Sequence, residues 1–343
     1  MERALDGDAD LTANETAALY EAPLFSYESA LVIAAGREKA ARACGVKAEV
    51  HAQVGLNLAP CPGNCLFCSF ASCNGVFEQA VELPIGEVIR QAQQFERDGA
   101  NAVFLMATAQ YPFEKFVDVC SEVRRSLDAE TVMIANFGDM SLQQAETLRD
   151  VGFAGVYHAL RLGEGRDTSL DPEQRVRTMR NVREAGLRLG TCVEPVGNEH
   201  TVEELVEKTL VTRDARPCYS GAARRIPVPG TRLERFGVTS EARMAHIIAV
   251  VRLALGYEVQ GNCTHEPNVI GCAAGANLLW AEAGSNPRDT LEKTEEARGM
   301  TVAQCREVLR EAEWEVLEGP SVFYGGTREV AVAAASELPG QGC

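Results

Sequence analysis

The sequence has no uninterrupted run of about 18 apolar residues, so no membrane-spanning helix is expected. Its first residues, MERALDGDADLTANE, are acidic where a secretory signal is basic and then apolar, which argues against export. Basic residues are scarce as well, since 33 Lys and Arg stand against 49 Asp and Glu, and the net charge is −16. An acidic surface repels phosphate backbones and anionic lipids, so neither nucleic-acid nor membrane partners are expected. These features predict a cytoplasmic globular protein.

Cysteine, by contrast, is abundant, with twelve in 343 residues. Without an export signal, metal or redox chemistry explains this number better than a disulfide framework does. Cys61, Cys65 and Cys68 fall within eight residues, whereas the others are scattered. This distribution predicts one firm metal site.

Short apolar runs alternate with helical patterns along most of the chain. The predicted strands cover 49–58, 101–108, 131–137, 155–160, 187–196, 224–230, 256–261 and 277–283. The predicted helices cover 85–98, 112–128, 141–150, 172–185, 201–213, 240–255, 266–275 and 301–315. Eight strand–helix units over about 250 residues predict an α/β fold, the (β/α)8 TIM barrel. An open doubly wound sheet is the alternative, but no Gly-x-Gly-x-x-Gly motif follows the first strand.

The helical pattern before the first strand stands apart from this alternation. We therefore predict an N-terminal helical extension over 1–46, a single barrel domain over 47–318 and a C-terminal tail over 319–343. No linker rich in Pro, Gly or Ser interrupts the barrel region.

The strongest motif is NLAPCPGNCLFCSF, in which the three clustered cysteines follow the first predicted strand. The carboxyl ends of barrel strands are where active sites lie. Three thiolates at the spacing Cys-x3-Cys-x2-Cys can ligate three irons of a [4Fe–4S] cluster and leave the fourth iron without a protein ligand. Zinc is the alternative, but a structural zinc site takes four ligands, commonly as two separated pairs.

This triplet, with Phe67 directly before its third cysteine, resembles the signature of the radical S-adenosylmethionine (SAM) superfamily. The segments ALYEAPLFSYESAL and GCAAGANLLWAEAG are similar to the biotin synthase-like branch, which also holds the [FeFe]-hydrogenase maturase and methylornithine synthase. The resemblance implies an enzyme with a [4Fe–4S] cluster that cleaves SAM to a 5′-deoxyadenosyl radical, which abstracts hydrogen from a small substrate. It also implies an electron donor of the flavodoxin or ferredoxin type.

The same resemblance implies roles for further residues. It assigns SAM contacts to Phe67, Thr108, Gln110, Arg161, Glu164, Glu194 and Ile226. Substrate contacts are assigned to Asn136, His158 and Arg224. Plain structural roles remain open for several of these residues: a helix N-cap for Thr108 and Gln110, a surface ion pair for Arg161 and Glu164, a turn cap for Asn136, a buried core position for His158, and a salt bridge for Arg224.

A second iron–sulfur cluster is a further expectation. Biotin synthases ligate an auxiliary [2Fe–2S] cluster with cysteines at the mouths of strands two and three, where this sequence has Met106 and Asn136. Ordinary biotin synthase activity is therefore not expected. Cys73, Cys192 and Cys263 are the candidate ligands of a different auxiliary cluster, with packing as the alternative.

Three functions follow from these observations. The first is a radical SAM enzyme of cofactor or vitamin biosynthesis that inserts sulfur with the help of an auxiliary cluster. The second is a single-cluster enzyme that rearranges or fragments an amino acid or cofactor precursor. The third, and the least favoured, is a non-catalytic iron–sulfur carrier, for which a whole barrel is an extravagant scaffold.

Overall fold

A computed structural model describes residues 2–6 and 10–325 of the chain. Three helices precede the first strand: α1 (Glu2–Asp6), α2 (Ala13–Glu21) and α3 (Tyr27–Cys44). Thr12 caps α2 through a capping box with Glu15, and Gly45 ends α3 in the left-handed conformation, with φ 62°. Most of the predicted extension is therefore helical.

Strands and helices alternate after this extension. The strands are β1 (Lys47–Gly55), β2 (Asn57–Leu58), β3 (Val81–Glu82), β4 (Ala102–Met106), β5 (Met133–Asn136), β6 (Gly155–Tyr157), β7 (Arg188–Gly190), β8 (Val193–Val196), β9 (Tyr219–Arg224), β10 (Gly261–His265), β11 (Leu278–Gly284) and β12 (Glu315–Val316). The helices are α4 (Ile85–Arg97), α5 (Phe113–Ser126), α6 (Leu142–Val151), α7 (Pro172–Glu184), α8 (Val202–Asp214), α9 (Glu241–Ala254), α10 (Val269–Ala273) and α11 (Val302–Glu311). Within the described residues, no helix combines the length and the apolar character that crossing a membrane requires.

The parallel strands close into a barrel, which confirms the predicted fold class. The order is β1, β4, β5, β6, β7, β9, β10 and β11, and β11 pairs with β1 again. The fifth strand of the barrel is broken: β7 and β8 flank Thr191 and Cys192, and β8 pairs only with β9. Eight strand positions therefore surround one interior, and their carboxyl ends share one mouth.

Two predicted strands were misplaced along the chain. The sixth strand is β9 and not 224–230, because Pro227 and Pro229 have no N–H to donate to a sheet ladder. The seventh strand is β10 and not 256–261, which is a turn leading into it. In both cases the true strand is rich in Gly, Ala, Ser or Asn, and such residues give a weak strand signal.

A buried hydrogen bond stands at the centre of the lower barrel. His51 Nε2 lies 2.7 Å from Glu49 Oε2, and both side chains are fully buried on β1. Five aromatic rings surround the imidazole at centroid distances of 5.4–6.2 Å: Phe104, Tyr219, Trp280, Phe323 and Tyr324. These rings fill the lower half of the barrel and leave its upper half open.

The predicted tail begins inside the barrel. The backbone N–H groups of Val322 and Phe323 donate to Glu49 Oε1 at 2.7 and 3.3 Å, and the Phe323 ring is 1% exposed. Ser321, Phe323 and Tyr324 are therefore buried, although they belong to the segment that was predicted to be a loose tail from 319 onward. Residues 326–343 of that prediction lie outside the described part of the chain.

Replacing Phe323 by Ala is expected to lower the free energy of unfolding by about 3–5 kcal/mol, because it empties the closed end of the barrel. The neighbouring Val322 is 47% exposed, so Val322→Ala should change that free energy by less than about 0.5 kcal/mol. Urea denaturation of both variants checks this, and equal effects would show that residue 323 does not plug the barrel.

Candidate functional site

A chamber opens at the carboxyl ends of the barrel strands, and the cysteine loop forms part of its wall. This loop, residues 59–80, lies between β2 and β3, whose antiparallel pairing ties its two ends together. Cys61, Cys65, Cys68 and Phe67 all line the chamber. The structure therefore brings the triplet and its aromatic neighbour to one cavity wall, as predicted.

Hydrogen bonds hold the cysteine loop in shape. The Asn74 amide donates to the carbonyl oxygens of Cys68 and Cys65 at 2.9 and 3.3 Å, and Cys61 N–H donates to the Phe70 carbonyl at 2.6 Å. In return, the Phe70 N–H donates to Cys68 Sγ at 3.3 Å. A backbone N–H on sulfur is one of the interactions that tune iron–sulfur clusters, so the donor set fits the predicted cluster.

Among the described residues, no three His, Cys, Asp or Glu side chains converge on a position for a single metal ion. Cysteines that ligate a [4Fe–4S] cluster bind separate irons, so they do not need to converge in this way. Burial, together with the neighbouring thiols, raises the pKa of Cys68. Because iron ligation requires the thiolate, cluster assembly must displace protons from this loop.

Arg161 faces the chamber between two carboxylates. Its guanidinium lies 3.9 Å from Glu164 and 3.7 Å from Glu194. Burial disfavours its charge, but Glu164 and Glu194 outweigh that effect and raise the pKa of Arg161. Glu194 lines the chamber, whereas Glu164 lies behind the wall and its side chain is 1% exposed. The pair is therefore neither a surface ion pair nor two ligand contacts: Arg161 faces the chamber and Glu164 positions it.

Arg175 of α7 joins this network from behind. It lies 3.5 Å from Glu164 and 3.4 Å from Asp139, donates to the Ala159 carbonyl, and lines the chamber. Burial, and then the proximity of Arg161, lower the pKa of Arg175. The chamber-facing Arg161 and the buried Arg175 thus share one buried glutamate, which holds both guanidinium groups in place.

The structure does not support the substrate role predicted for His158. Its side chain is 1% exposed and lies outside the chamber lining, with Nε2 3.0 Å from Asp139. Burial, reinforced by Arg175, lowers the pKa of His158 to about 3. The inward residue of β6 is Tyr157, which does line the chamber. His158 is a buried core residue, which was the open alternative.

The polar residues after β4 and β5 separate into two groups. Thr108 lines the chamber and exchanges hydrogen bonds with Asn57, at 2.8 Å through its hydroxyl and at 3.0 Å through its N–H. Gln110 is turned away, because its amide donates to the Pro60 carbonyl and it is absent from the lining. Asn136 lines the chamber and donates to Gln53 at 2.8 Å.

The predicted adenine and substrate contacts at β8 and β9 also reach the chamber. Glu194, Ile226 and Arg224 line it. Arg224 is engaged as well, since it lies 3.3 Å from Glu241 and donates to the Thr239 carbonyl. Arg224 therefore makes the salt bridge that was its alternative role, and it also faces the cavity.

Two of the three candidate auxiliary ligands meet inside the chamber. Cys192 and Cys263 are each 2% exposed, and their Sγ atoms are 3.4 Å apart. They meet across Gly221 of the intervening strand β9, which pairs with Cys263 and has φ 127°. Cys73 lies apart from them, with its thiol near Asn64 and outside the chamber lining.

Backbone spacing argues against a disulfide between Cys192 and Cys263, and both are free thiols. Neighbouring strands are about 4.8 Å apart, so strands separated by a third lie roughly 9 Å apart. A disulfide spans Cα separations of at most about 7 Å. Burial and the adjacent Cys263 thiol raise the pKa of Cys192, so this thiol is protonated when no metal is bound.

The wall at β10 and β11 carries a compensated charge cluster. Arg288 lines the chamber and lies 2.6 Å from Glu282 and 3.2 Å from Glu266. Burial, with Arg288 next, lowers the pKa of His265 to about 3, so this chamber-lining imidazole is neutral at neutral pH. Burial opposes ionisation of Glu282, but Arg288 and Arg298 lower its pKa to about 2.

Sequence reasoning missed several chamber residues, namely Gln53, Tyr157, Arg175 and Arg288. Gln53 had a detectable signal, because Glu49, His51 and Gln53 alternate with apolar residues along β1 and therefore share one face of the strand. Arg175 lies on a helix outside the strand ends, so no rule about strand ends points to it.

Comparisons with known proteins agree with this geometry. The family model described as the radical SAM superfamily matches residues 60–209. Biotin synthase from Mycobacterium leprae (strain TN) is 26% identical over 226 residues, which cover 62% of this chain and 64% of that enzyme. The chain thus spans less than two thirds of the length of that relative.

Two solved structures share the fold. HydG, a maturase of the [FeFe]-hydrogenase, superimposes with a TM-score of 0.77 at 17% identity, over 92% of this chain and 74% of that chain. Methylornithine synthase (PylB) has a TM-score of 0.77 at 18% identity, over 92% of this chain and 97% of that chain. Both confirm the barrel with its N-terminal helices.

The buried neutral His158 makes stability depend on pH. Unfolded histidine takes up a proton near pH 6.5 and the folded residue does not, so the unfolded state binds more protons below that pH and stability falls. His158→Gln keeps an N–H for Asp139 but cannot titrate. Between pH 7 and pH 5 the native protein should therefore lose about 2 kcal/mol more than the variant, measured by urea unfolding. Equal losses would mean that His158 becomes charged in the folded state.

Proposed function

The chain matches the family model of the radical SAM superfamily over residues 60–209 and is similar to biotin synthases, and on that premise we propose that it is a radical SAM enzyme acting on a small substrate. The observation that carries this proposal is one chamber shared by three cysteines, a paired arginine and an aromatic floor. A [4Fe–4S] cluster held by the three cysteines would supply an electron, received from an external donor, for the reductive cleavage of SAM and hydrogen abstraction from the substrate.

Cys61, Cys65 and Cys68 are the proposed cluster ligands. Their loop is tied at its base by β2 and β3, and Asn74 holds two of the cysteine carbonyls, so the thiols are positioned before the cluster binds. Preorganisation of this kind lowers the cost of ordering the ligands when the metal binds.

Arg161 is the proposed partner of the SAM carboxylate, since a guanidinium fork matches the two oxygens of a carboxylate. Glu164 and Glu194 orient this fork from two sides. Phe67 and Ile226 supply apolar lining for the remainder of SAM, and Thr108 provides a hydroxyl on the same wall. Gln110 is left out of this proposal, because its amide is engaged by the Pro60 carbonyl.

The chamber floor serves the substrate. Phe104, Tyr219 and Trp280 close the cavity below, and the aromatic packing beneath them leaves no path to the other end of the barrel in the described structure. Such a closed, apolar floor excludes water from the reacting atoms.

Cys192 and Cys263 are the proposed ligands of a second iron–sulfur centre, which favours sulfur insertion over the alternative. Their sulfurs already lie 3.4 Å apart within the chamber. His265 lines the chamber two residues after Cys263 and is neutral, so it is a suitable further donor. Cys73 is not included, because it faces away from the pair. Without a second centre, the reaction is a single-cluster rearrangement or fragmentation.

The electron donor is proposed to be a flavodoxin or ferredoxin, and the location the cytoplasm. The carrier function receives no support from the chamber, because electron transfer needs neither an aromatic floor nor paired polar groups beside the cluster.

The first test concerns the cluster ligands. Replacing Cys61, Cys65 or Cys68 by Ala should reduce 5′-deoxyadenosine formation to background after anaerobic reconstitution, because one iron loses its ligand. Cys73→Ala is the matched control, since it lies in the same loop but outside the chamber, and it should retain SAM cleavage. Product analysis by chromatography decides, and cleavage in the triplet variants would refute the assignment.

The second test concerns the thiol pair. The double change of Cys192 and Cys263 to Ala should lower the iron content per chain and leave SAM cleavage intact, while product formation is lost. Cys218→Ala, at a buried barrel cysteine outside the chamber lining, should leave the iron content unchanged. Iron analysis and Mössbauer spectra measure the difference. Native iron content in the double variant would refute the second centre, and the single-cluster reaction would then replace sulfur insertion as the proposed function.

A further inference from the structure

Two amide side chains form a pair on one wall of the chamber. Gln53 of β1 and Asn136 of β5 both line it, and Asn136 Nδ2 donates to Gln53 Oε1 at 2.8 Å. They meet across the intervening strand β4. Gln53 is only 8% exposed, so what its amide does not bind in the protein must be satisfied from the chamber.

Their mutual hydrogen bond leaves the NH2 group of one amide and the carbonyl oxygen of the other without a protein partner. In the described structure, neither Gln53 Nε2 nor Asn136 Oδ1 has a protein partner, and neither is sealed from the cavity. Exchanging the nitrogen and oxygen of both amides reverses their bond but still leaves one NH2 group and one carbonyl. The wall therefore presents an adjacent donor and acceptor whichever way the amides are oriented.

An adjacent donor and acceptor complement a group that carries C=O and N–H side by side. A carboxylate fits poorly, because it has only acceptors and one of them would face the free carbonyl of the pair. A ketone satisfies only the donor and leaves the carbonyl of the pair without a partner beneath the bound molecule, which weakens binding. A neutral carboxamide or lactam satisfies both.

The amide pair and the thiol pair lie on opposite walls. The amides straddle β4 and the thiols straddle β9, which are four positions apart in a ring of eight strands. Between them lies the floor of Phe104, Tyr219 and Trp280. A group anchored by the amides would therefore extend over an apolar surface toward the thiols.

We propose that Gln53 and Asn136 form the specificity subsite for a neutral amide group, a carboxamide or a lactam, on the substrate. This inference rests on the proposed function only in treating the bound molecule as a substrate, since the binding itself does not depend on SAM cleavage. The remainder of the substrate is apolar where it crosses the aromatic floor.

The test uses 2-pyrrolidinone as the probe and cyclopentanone as its counterpart without N–H. Saturation-transfer NMR titration of the full chain, reconstituted anaerobically with cluster and SAM, should show cyclopentanone binding at least about tenfold more weakly. Gln53→Glu and Asn136→Asp should each weaken 2-pyrrolidinone binding by a similar factor, because each replaces an NH2 donor by an acceptor.

Gln110→Glu is the matched control, because it makes the same chemical change outside the chamber and should leave binding unchanged. Gln53→Met, which introduces no buried charge, should also weaken binding and covers the case in which Gln53→Glu fails to fold. Equal binding of the two probes, or native affinity in Asn136→Asp and Gln53→Met, overturns the proposal, as does absence of 2-pyrrolidinone binding to the native chain. A native chain that discriminates the probes but forms no 5′-deoxyadenosine refutes the proposed function and leaves the subsite standing.

Discussion

The hydrogen bond between Glu49 and His51 is the interaction on which the chamber depends. It fixes an imidazole on the barrel axis, and the rings of Phe104, Tyr219 and Trp280 pack against that imidazole from the side that faces the chamber. The same carboxylate accepts two N–H groups from the chain that returns beneath the barrel. One buried carboxylate thus sets the height of the chamber floor and seals the opposite end. A buried carboxyl group is tolerated there because both of its oxygens take part in hydrogen bonds.

The charged side chains inside the barrel are paired, so each arginine keeps a fixed orientation while its charge is largely balanced. The chain is acidic overall, yet the chamber is lined by arginines, and each of them is held by carboxylates of the wall. Arg161 and Arg175 share Glu164. Arg225 makes two bonds to Glu199, one of them at 2.8 Å. Such pairing removes most of the net charge and retains the orientation of each fork. The chamber therefore presents oriented guanidinium groups and little net charge.

How much of this was predictable depends on the kind of signal. The placement of the cysteine triplet beside the chamber was predictable, because it directly follows the first strand, and the barrel was predictable, because eight alternations leave few folds open. Strand β9 was missed because YSGAAR has few of the β-branched residues that mark a strand. His158 and Tyr157 show a second limit of the sequence-based prediction, since a one-residue shift in a strand decides which side chain faces the chamber. The partnership of Gln53 with Asn136 is not visible in sequence at all, because 83 residues separate them.

The absence of a side chain at Gly221 is a structural requirement of the thiol pair. A Cβ at this position would collide with the backbone of Cys263, so glycine is what allows β9 and β10 to pair closely where Cys263 approaches Cys192. The thiol pair is therefore a property of three positions and not of two. In related sequences, Cys at 192 and 263 without Gly at 221 would describe two separate thiols.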